Sequence, residues 1–426
     1  MPKLAGTLAI PCALLLHACS SGGGNASSPD ASPSADSGSD SPHDGGGIPG
    51  SDGGSIPGDG GSSSGGGDGS GKPPTQEAGP DPCVEAGTCP PGTWVDVTPA
   101  GVNPANLGDG GGFGPGSIVV DPIRPGDLYV APIDGVWKST DYGNSWTHVN
   151  TTLGYAPIGL PMAIAGTTPK ATLWIDSGDG HGTLYRSTDG AETFTQVGGG
   201  QIAGLYSIVV DPYDPTHLVS GLHEADGLVE SIDGGDSWRT VGGTGWPSGG
   251  ISWYPFFLDT GAASTTRGRW FAYAQDGATP VITTDGGATW QTASGLDGLQ
   301  HPHGAAHLHQ AGTSLFVGGL YGPGQGVYRS TDLGASWARV DSGQFPEAVV
   351  WGTPKHVYAM WGWACSGCNL GTNFEIASAS GDGWTATSVP SHLVIGPNSV
   401  AVTSDGTHAI FVGAMWSAGL WRYVEP

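Results

Sequence analysis

Gly135-Val136-Trp137-Lys138-Ser139-Thr140-Asp141-Tyr142-Gly143-Asn144-Ser145-Trp146 is the stretch whose reading decides the fold. Its first five residues alternate in character, as a strand with one covered face requires. The next seven hold the ingredients of a hairpin turn. Asp141 can bond its own backbone two residues on, and Gly143 supplies a positive φ. Trp146 then opens the next strand and offers a large apolar face to pack between sheets.

The octapeptide from Ser139 to Trp146 recurs, and repeats outrank other signals. Further copies start at Ser231 and Ser330 and end at Trp238 and Trp337. Thr283 to Trp290 differs only at its first position, and Ser187 to Phe194 lacks the second glycine and the tryptophan. A degenerate copy lies near Ser378, with Asp382 and Trp384 displaced. The first positions are 48, 44, 52, 47 and 48 residues apart. Gly419-Leu420-Trp421-Arg422-Tyr423 repeats the strand before the octapeptide a seventh time, 45 residues beyond Ser378 at its end. No octapeptide follows it. The missing outer strand is found upstream, where Thr93-Trp94-Val95-Asp96-Val97 matches Ser145-Trp146-Thr147-His148-Val149.

These repeats resemble the Asp-box, or BNR, repeat of sialidases, sortilins and xyloglucanases. The resemblance implies an all-β fold, a single seven-bladed β-propeller of four-stranded antiparallel blades, spanning residues 81–426. The N-terminal strand is expected to complete the last blade and leave no open edge. Each blade has an inner strand such as Ser117-Ile118-Val119-Val120-Asp121 and a second such as Asp127-Leu128-Tyr129-Val130. Asp141, Asp189, Asp233, Asp285 and Asp332 stand at the same point of successive turns and are expected to be structural.

Residues 1–19 read as a targeting segment. Lys3 precedes an apolar run from Leu4 to Leu16, too short for a spanning helix. Leu16-His17-Ala18-Cys19 resembles the lipobox of bacterial lipoproteins, which implies lipidation at Cys19 and membrane association through that anchor alone. Ser20 in place of an aspartate points to the outer membrane or cell surface of a Gram-negative bacterium. Residues 20–80 are Gly, Ser, Asp and Pro with few apolar groups, a composition expected to give a disordered tether.

Net charge is −25 with 13 Lys and Arg, so no basic stripe exists for a phosphate backbone and nucleic-acid binding is excluded. Beyond Cys12 and Cys19, the cysteines fall in two close pairs, Cys83 with Cys89 and Cys365 with Cys368. In an exported chain the expected reading is two disulfides, with a zinc site at Cys365 and Cys368 as the alternative.

Strand order sorts the loops between two faces. The octapeptide turns share one, and the second-to-third-strand turns and inter-blade loops share the other, where propellers resembling this one hold their ligands. Blade two contributes Asp176, Asp179 and His181 to that second face, and blade three His223, Glu224 and Asp226. Asp276, Tyr321, Trp361, Trp363 and Trp416 come from later blades. Inter-blade loops add Trp246, Trp253, Tyr254 and Glu347. Aromatic rings beside carboxylates suit a sugar, since rings stack on pyranose faces while carboxylates bind hydroxyls or do acid–base work. The plainer reading is blade-interface packing by the aromatics and solvated loop carboxylates. Glu224, Asp226 and Asp176 are the candidate catalytic carboxylates.

His301, His303, His307 and His309 form the densest polar cluster. His307 and His309 share a side of the expected inner strand of blade five. Facing the axis, they would ligate a divalent metal or act as general base with Tyr321, as in a polysaccharide lyase. Imidazoles bonded to backbone in a narrow channel are the structural alternative. No cofactor is required by the reading as a whole.

A sialidase would need several arginines converging on a substrate carboxylate. Lys138, Arg186, Arg329 and Arg422 instead hold one strand position in different blades, which leaves the ligand face poor in cations. Xyloglucanases of this resemblance pair two propellers around a cleft, and this chain carries one. Two function classes therefore stand: a propeller that binds or degrades a carbohydrate, in the manner of a glycoside hydrolase, and a non-catalytic module for a glycan or a protein partner.

Overall fold

A computed structural model describes residues 72–102, 117–132, 135–151, 153, 161–176, 183–200, 204–276, 278–300, 307–319, 325–341, 349–360, 374–391, 393, 396–415 and 418–426. All lie in one compact unit, Gly66–Pro426. Seven four-stranded antiparallel sheets form a seven-bladed β-propeller, with two four-residue helices, Pro82–Glu85 and Ala263–Thr266, among the described residues. Blade one runs Ile118–Val120, Leu128–Val130, Val136–Ser139 and Thr147–Asn150 from axis to rim.

Blade seven is built from both chain ends. Pro397–Ser404, Ala409–Met415 and Gly419–Val424 are followed in space by Trp94–Asp96. The register pairs Trp94 with Tyr423, Val95 with Arg422 and Asp96 with Trp421. Trp94 is 8% exposed, and its ring lies 5.1 to 5.5 Å from those of Tyr423, Phe374 and Phe411. Just upstream, Cys83 and Cys89 are joined by a disulfide.

The octapeptide turns work differently from the two-residue bond expected of their aspartates. Asp141 accepts the amide of Ser145, four residues on, at 2.8 Å and its hydroxyl at 2.6 Å. The Ser139 hydroxyl donates to Asp141 at 2.8 Å and accepts the Gly143 amide at 2.8 Å. The turn is thus wider, with two residues in left-handed geometry, Tyr142 at φ 59° and Gly143 at φ 79°. The same bonds recur around Asp189, Asp233, Asp285 and Asp332. Burial pushes the Asp141 carboxyl up, but the Ser145 and Ser139 donors outweigh it and hold it below the usual range.

Each turn also plugs into the preceding blade. Trp174 and Arg186 of blade two both donate to the Gly234 carbonyl, at 2.7 and 2.9 Å. A Cβ on Gly143 would come within 2.6 Å of Val412 in blade seven. Glycine here answers both to φ and to a blade interface. The core accordingly lies between blades, as where Leu258, Phe271 and Tyr273 of blade four meet Leu315, Val317 and Trp337 of blade five.

Candidate functional site

On the face opposite the octapeptides, the turn 223–227 joins the second and third strands of blade three, Asp214–Leu222 and Leu228–Ser231. Its backbone is braced from both sides. The His223 amide donates to the Gly204 carbonyl at 2.9 Å. The Glu224 amide donates to the Ser252 hydroxyl of blade four at 2.9 Å, and the Ser252 amide returns a bond to the Ala225 carbonyl at 3.1 Å. Glu224 and Ser252 both adopt left-handed backbone, φ 50° and 52°. Two strained non-glycine residues that hold each other across a blade boundary cost about 1–3 kcal/mol apiece, and such strain concentrates at functional sites.

Two indoles fix the next carboxylate. Asp226 Oδ1 accepts Trp246 Nε1 at 3.1 Å and Trp253 Nε1 at 3.0 Å. Trp253 is fully buried and its ring lies 4.5 Å from that of Trp246, which also meets Trp290 at 4.8 Å. Toward the axis, the Tyr206 ring lies 5.6 Å from His223 and 6.2 Å from Tyr254. The Tyr206 hydroxyl donates to Gln275 Oε1 at 3.2 Å. Burial pushes the Tyr254 hydroxyl up to about 12, so it remains protonated. Glu224 and Asp226 are both exposed at the mouth of the turn, and of the two Asp226 is the one held by indole donors.

The blade-three turn thus brings His223, Glu224, Asp226 and Trp253 together. Tyr206, Gln275 and Ser252 join them without having stood out in the sequence. Tyr206 and Ser252 sit near the starts of inner strands, and only the wrap of one blade on the next brings them to the turn.

Other candidates go elsewhere. Asp176 ends the strand Thr172–Asp176 with no exposure, and its carboxylate accepts the Leu205 amide at 3.0 Å. It fastens blade three's inner strand to blade two. His307 Nε2 lies 3.4 Å from the Asn398 carbonyl of blade seven, and the ring of His309 lies against the Gly352 backbone of blade six. Burial lowers both imidazoles to about 4, so both are neutral at pH 7. The two histidines therefore serve different neighbours. Asp276 ends the strand Trp270–Asp276. Asp179, His181, His301, His303, Tyr321, Glu347, Trp361, Trp363, Cys365, Cys368, Trp416 and Cys19 lie outside the described residues.

Among the described residues, no three or more His, Cys, Asp or Glu side chains are grouped to hold a metal ion. Lys138 pairs with Asp127 at 2.7 Å and Arg186 with Asp236 at 3.1 Å. Arg239 pairs with Glu230, and Arg422 with Asp81. Arg329 lies over the Phe316 ring at 5.9 Å. These contacts tie the cations into the repeat rather than into a cluster for a substrate carboxylate.

No protein-family model matches the chain. Among curated proteins, it is 28% identical over 269 residues to a xyloglucanase of Hypocrea jecorina, covering 54% of this chain and 31% of that one. A Paenibacillus xyloglucanase is 26% identical over 273 residues, covering 59% and 22%. The chain thus spans a third or less of the length of these two relatives. Among solved structures, the GH74 xyloglucanase from Xanthomonas campestris superposes with a TM-score of 0.53 at 19% identity, covering 78% of this chain and 53% of that one. YCF48 from Cyanidioschyzon merolae superposes with a TM-score of 0.51 at 14% identity, covering 78% and 99%. At these identities the structural likeness concerns the fold: the chain is a seven-bladed propeller that resembles those of GH74 xyloglucanases.

Proposed function

We propose that this chain acts on a polysaccharide, as a glycoside hydrolase, at the turn 223–227 between blades three and four. The observation that carries the reading is the mutual bracing of Glu224 and Ser252 beside an aspartate held by two indoles. It presents an exposed carboxylate on rigid backbone next to half-buried aromatic surface, the combination a sugar ring requires. The similarity to xyloglucanases supports a β-glucan class of substrate. In this reading Glu224 exchanges the proton with the glycosidic oxygen or with water, His223 and Tyr206 contact hydroxyls, and Asp226 orients Trp246. No metal or cofactor enters the scheme.

The test is incubation of the full chain with a polysaccharide panel that includes xyloglucan, scoring both binding and new reducing ends. Glu224→Gln should lower turnover by about 100-fold or more while leaving binding in place. Undiminished turnover in that variant would remove Glu224 from the reaction.

A second reading, a non-catalytic module for a glycan or protein, draws support from the likeness to YCF48, which is matched at 99% of its length and in another structure is bound to D1 peptide. Retained binding without cleavage would select it. Lipid anchoring at Cys19 on the outer membrane belongs to the same proposal. Metabolic acyl labelling that survives Cys19→Ala would refute it.

A further inference from the structure

The propeller's other face carries a device outside that site. Residues 72–81 run across the ends of the inner strands on the octapeptide side, and their two ends are held in opposite ways. At Asp81 the hold is buried. Its carboxylate pairs with Arg422, both side chains without solvent exposure, and accepts the Cys83 amide at 3.0 Å. The Tyr142 hydroxyl donates to the Gly79 carbonyl at 2.6 Å beside it. Midway, the Gln76 amide donates to the Ile123 carbonyl at 2.7 Å. At the far end Lys72 pairs with Asp259 of blade four and lies 5.3 Å from the centre of the Tyr213 ring. Those two side chains are 47% and 31% exposed. Tyr213 donates to the same carboxylate at 2.8 Å. Beneath the segment is a cavity of about 380 Å³, bordered by Thr75 and Pro122 and by the strand ends Ile164, Ala165 and Val210.

A buried ion pair resists salt, whereas an exposed one is screened. A segment with one end of each kind, over a cavity, opens from its exposed end. We propose that residues 72–80 form a hinged flap, with its hinge at Asp81–Arg422 and its latch at Lys72–Asp259. The flap closes this face of the propeller at low ionic strength and admits small molecules when the latch is screened or displaced.

The full chain carrying Ala165→Cys tests this, with modification of residue 165 by a small maleimide followed by peptide mass mapping. Thr387→Cys, on an exposed outer strand, serves as reference. Residue 165 should react at least about tenfold more slowly than residue 387 at low salt. The gap should narrow between about 0.1 M and 1 M salt, as the screening length falls from about 10 Å to about 3 Å. Lys72→Met should speed the low-salt reaction and flatten its salt dependence. A rate unchanged by Lys72→Met, or unmoved by salt, would overturn the latch.

Should Ala165→Cys disturb folding, hydrogen exchange on the unaltered chain decides. The Gln76 amide should lose protection as salt rises while the Cys83 amide keeps its own. Gln76 unprotected at low salt, or both amides responding alike, would overturn the flap.

Discussion

Replacing Asp81 with asparagine keeps the shape of the side chain and an acceptor for the Cys83 amide, but removes the charge that faces Arg422. Neither side chain reaches solvent, and Arg422 Nε is already committed to the Tyr142 carbonyl at 3.0 Å. The guanidinium would be left buried with backbone dipoles and no counter-charge. A buried pair broken on one side costs about 3–5 kcal/mol, set against a total stability of about 5–15 kcal/mol for a typical folded domain. Each 1.4 kcal/mol is tenfold in the folded-to-unfolded ratio, so the loss should exceed a hundredfold. Arg422→Met alone strands the carboxylate and should cost a similar amount. In the double variant neither charge remains, and the cost should fall well below the sum of the singles. Equilibrium urea unfolding of the four proteins at pH 7, followed by tryptophan fluorescence, gives the coupling energy, expected to be about 3 kcal/mol. Asp81→Asn costing less than about 1 kcal/mol, or a coupling near zero, would refute the buried clasp and with it the hinge assigned to residues 72–80.

Trp94→Ala removes the ring that meets Tyr423, Phe374 and Phe411 and should cost about 3–5 kcal/mol in the same assay. Ala191 holds φ 72° where other turns have glycine, but its methyl is fully buried. In Ala191→Gly a relief of about 1–2 kcal/mol is therefore largely offset by about 0.8 kcal/mol of lost burial, and the melting temperature should move by only a few degrees. His307 and His309 have folded pKa values of about 4 against 6.5, so the unfolded chain binds more protons between those values. Their contribution is present above pH 6.5 and is lost as pH falls towards 4, by about 3 kcal/mol each if they act independently. His309→Gln should flatten that acid limb in urea midpoints taken from pH 4 to 7, and an unchanged slope would count against its burial. His217 runs the other way. Burial lowers its pKa, but Asp211 at 3.1 Å and Glu230 at 2.9 Å more than compensate, so its contribution is present below pH 6.5 and fades as pH rises through its raised value.

How far the sequence was legible depended on the range of the interaction concerned. The octapeptide from Ser139 to Trp146 is a local structure: its serine, aspartate, glycine and tryptophan satisfy one another within eight residues, and the repeat interval then counts the blades. Even the closing strand could be found, because Trp94 stands in the same local pattern as Trp146. The span of the aspartate bond was misjudged, since four-residue reach depends on two consecutive left-handed residues that composition does not dictate. The blade-three turn was readable as a cluster of His223, Glu224 and Asp226. Its partners Ser252, Tyr206 and Gln275 were not, since they lie 28 or more residues away or on a different strand. Asp176 looked like a site carboxylate because side-chain chemistry is the same whether a group faces solvent or an amide of the next blade.

The sequence alone determined the all-β propeller, its seven blades and the strand that closes it, because those follow from short-range patterns repeated at near-constant intervals. Tertiary structure alone decided that Glu224 is exposed while Asp176 is spent on a blade interface, that Arg422 is a buried clasp, and that residues 72–81 lie along the octapeptide side. Those outcomes turn on burial and on contacts between residues far apart in the chain, and neither is encoded in any local stretch.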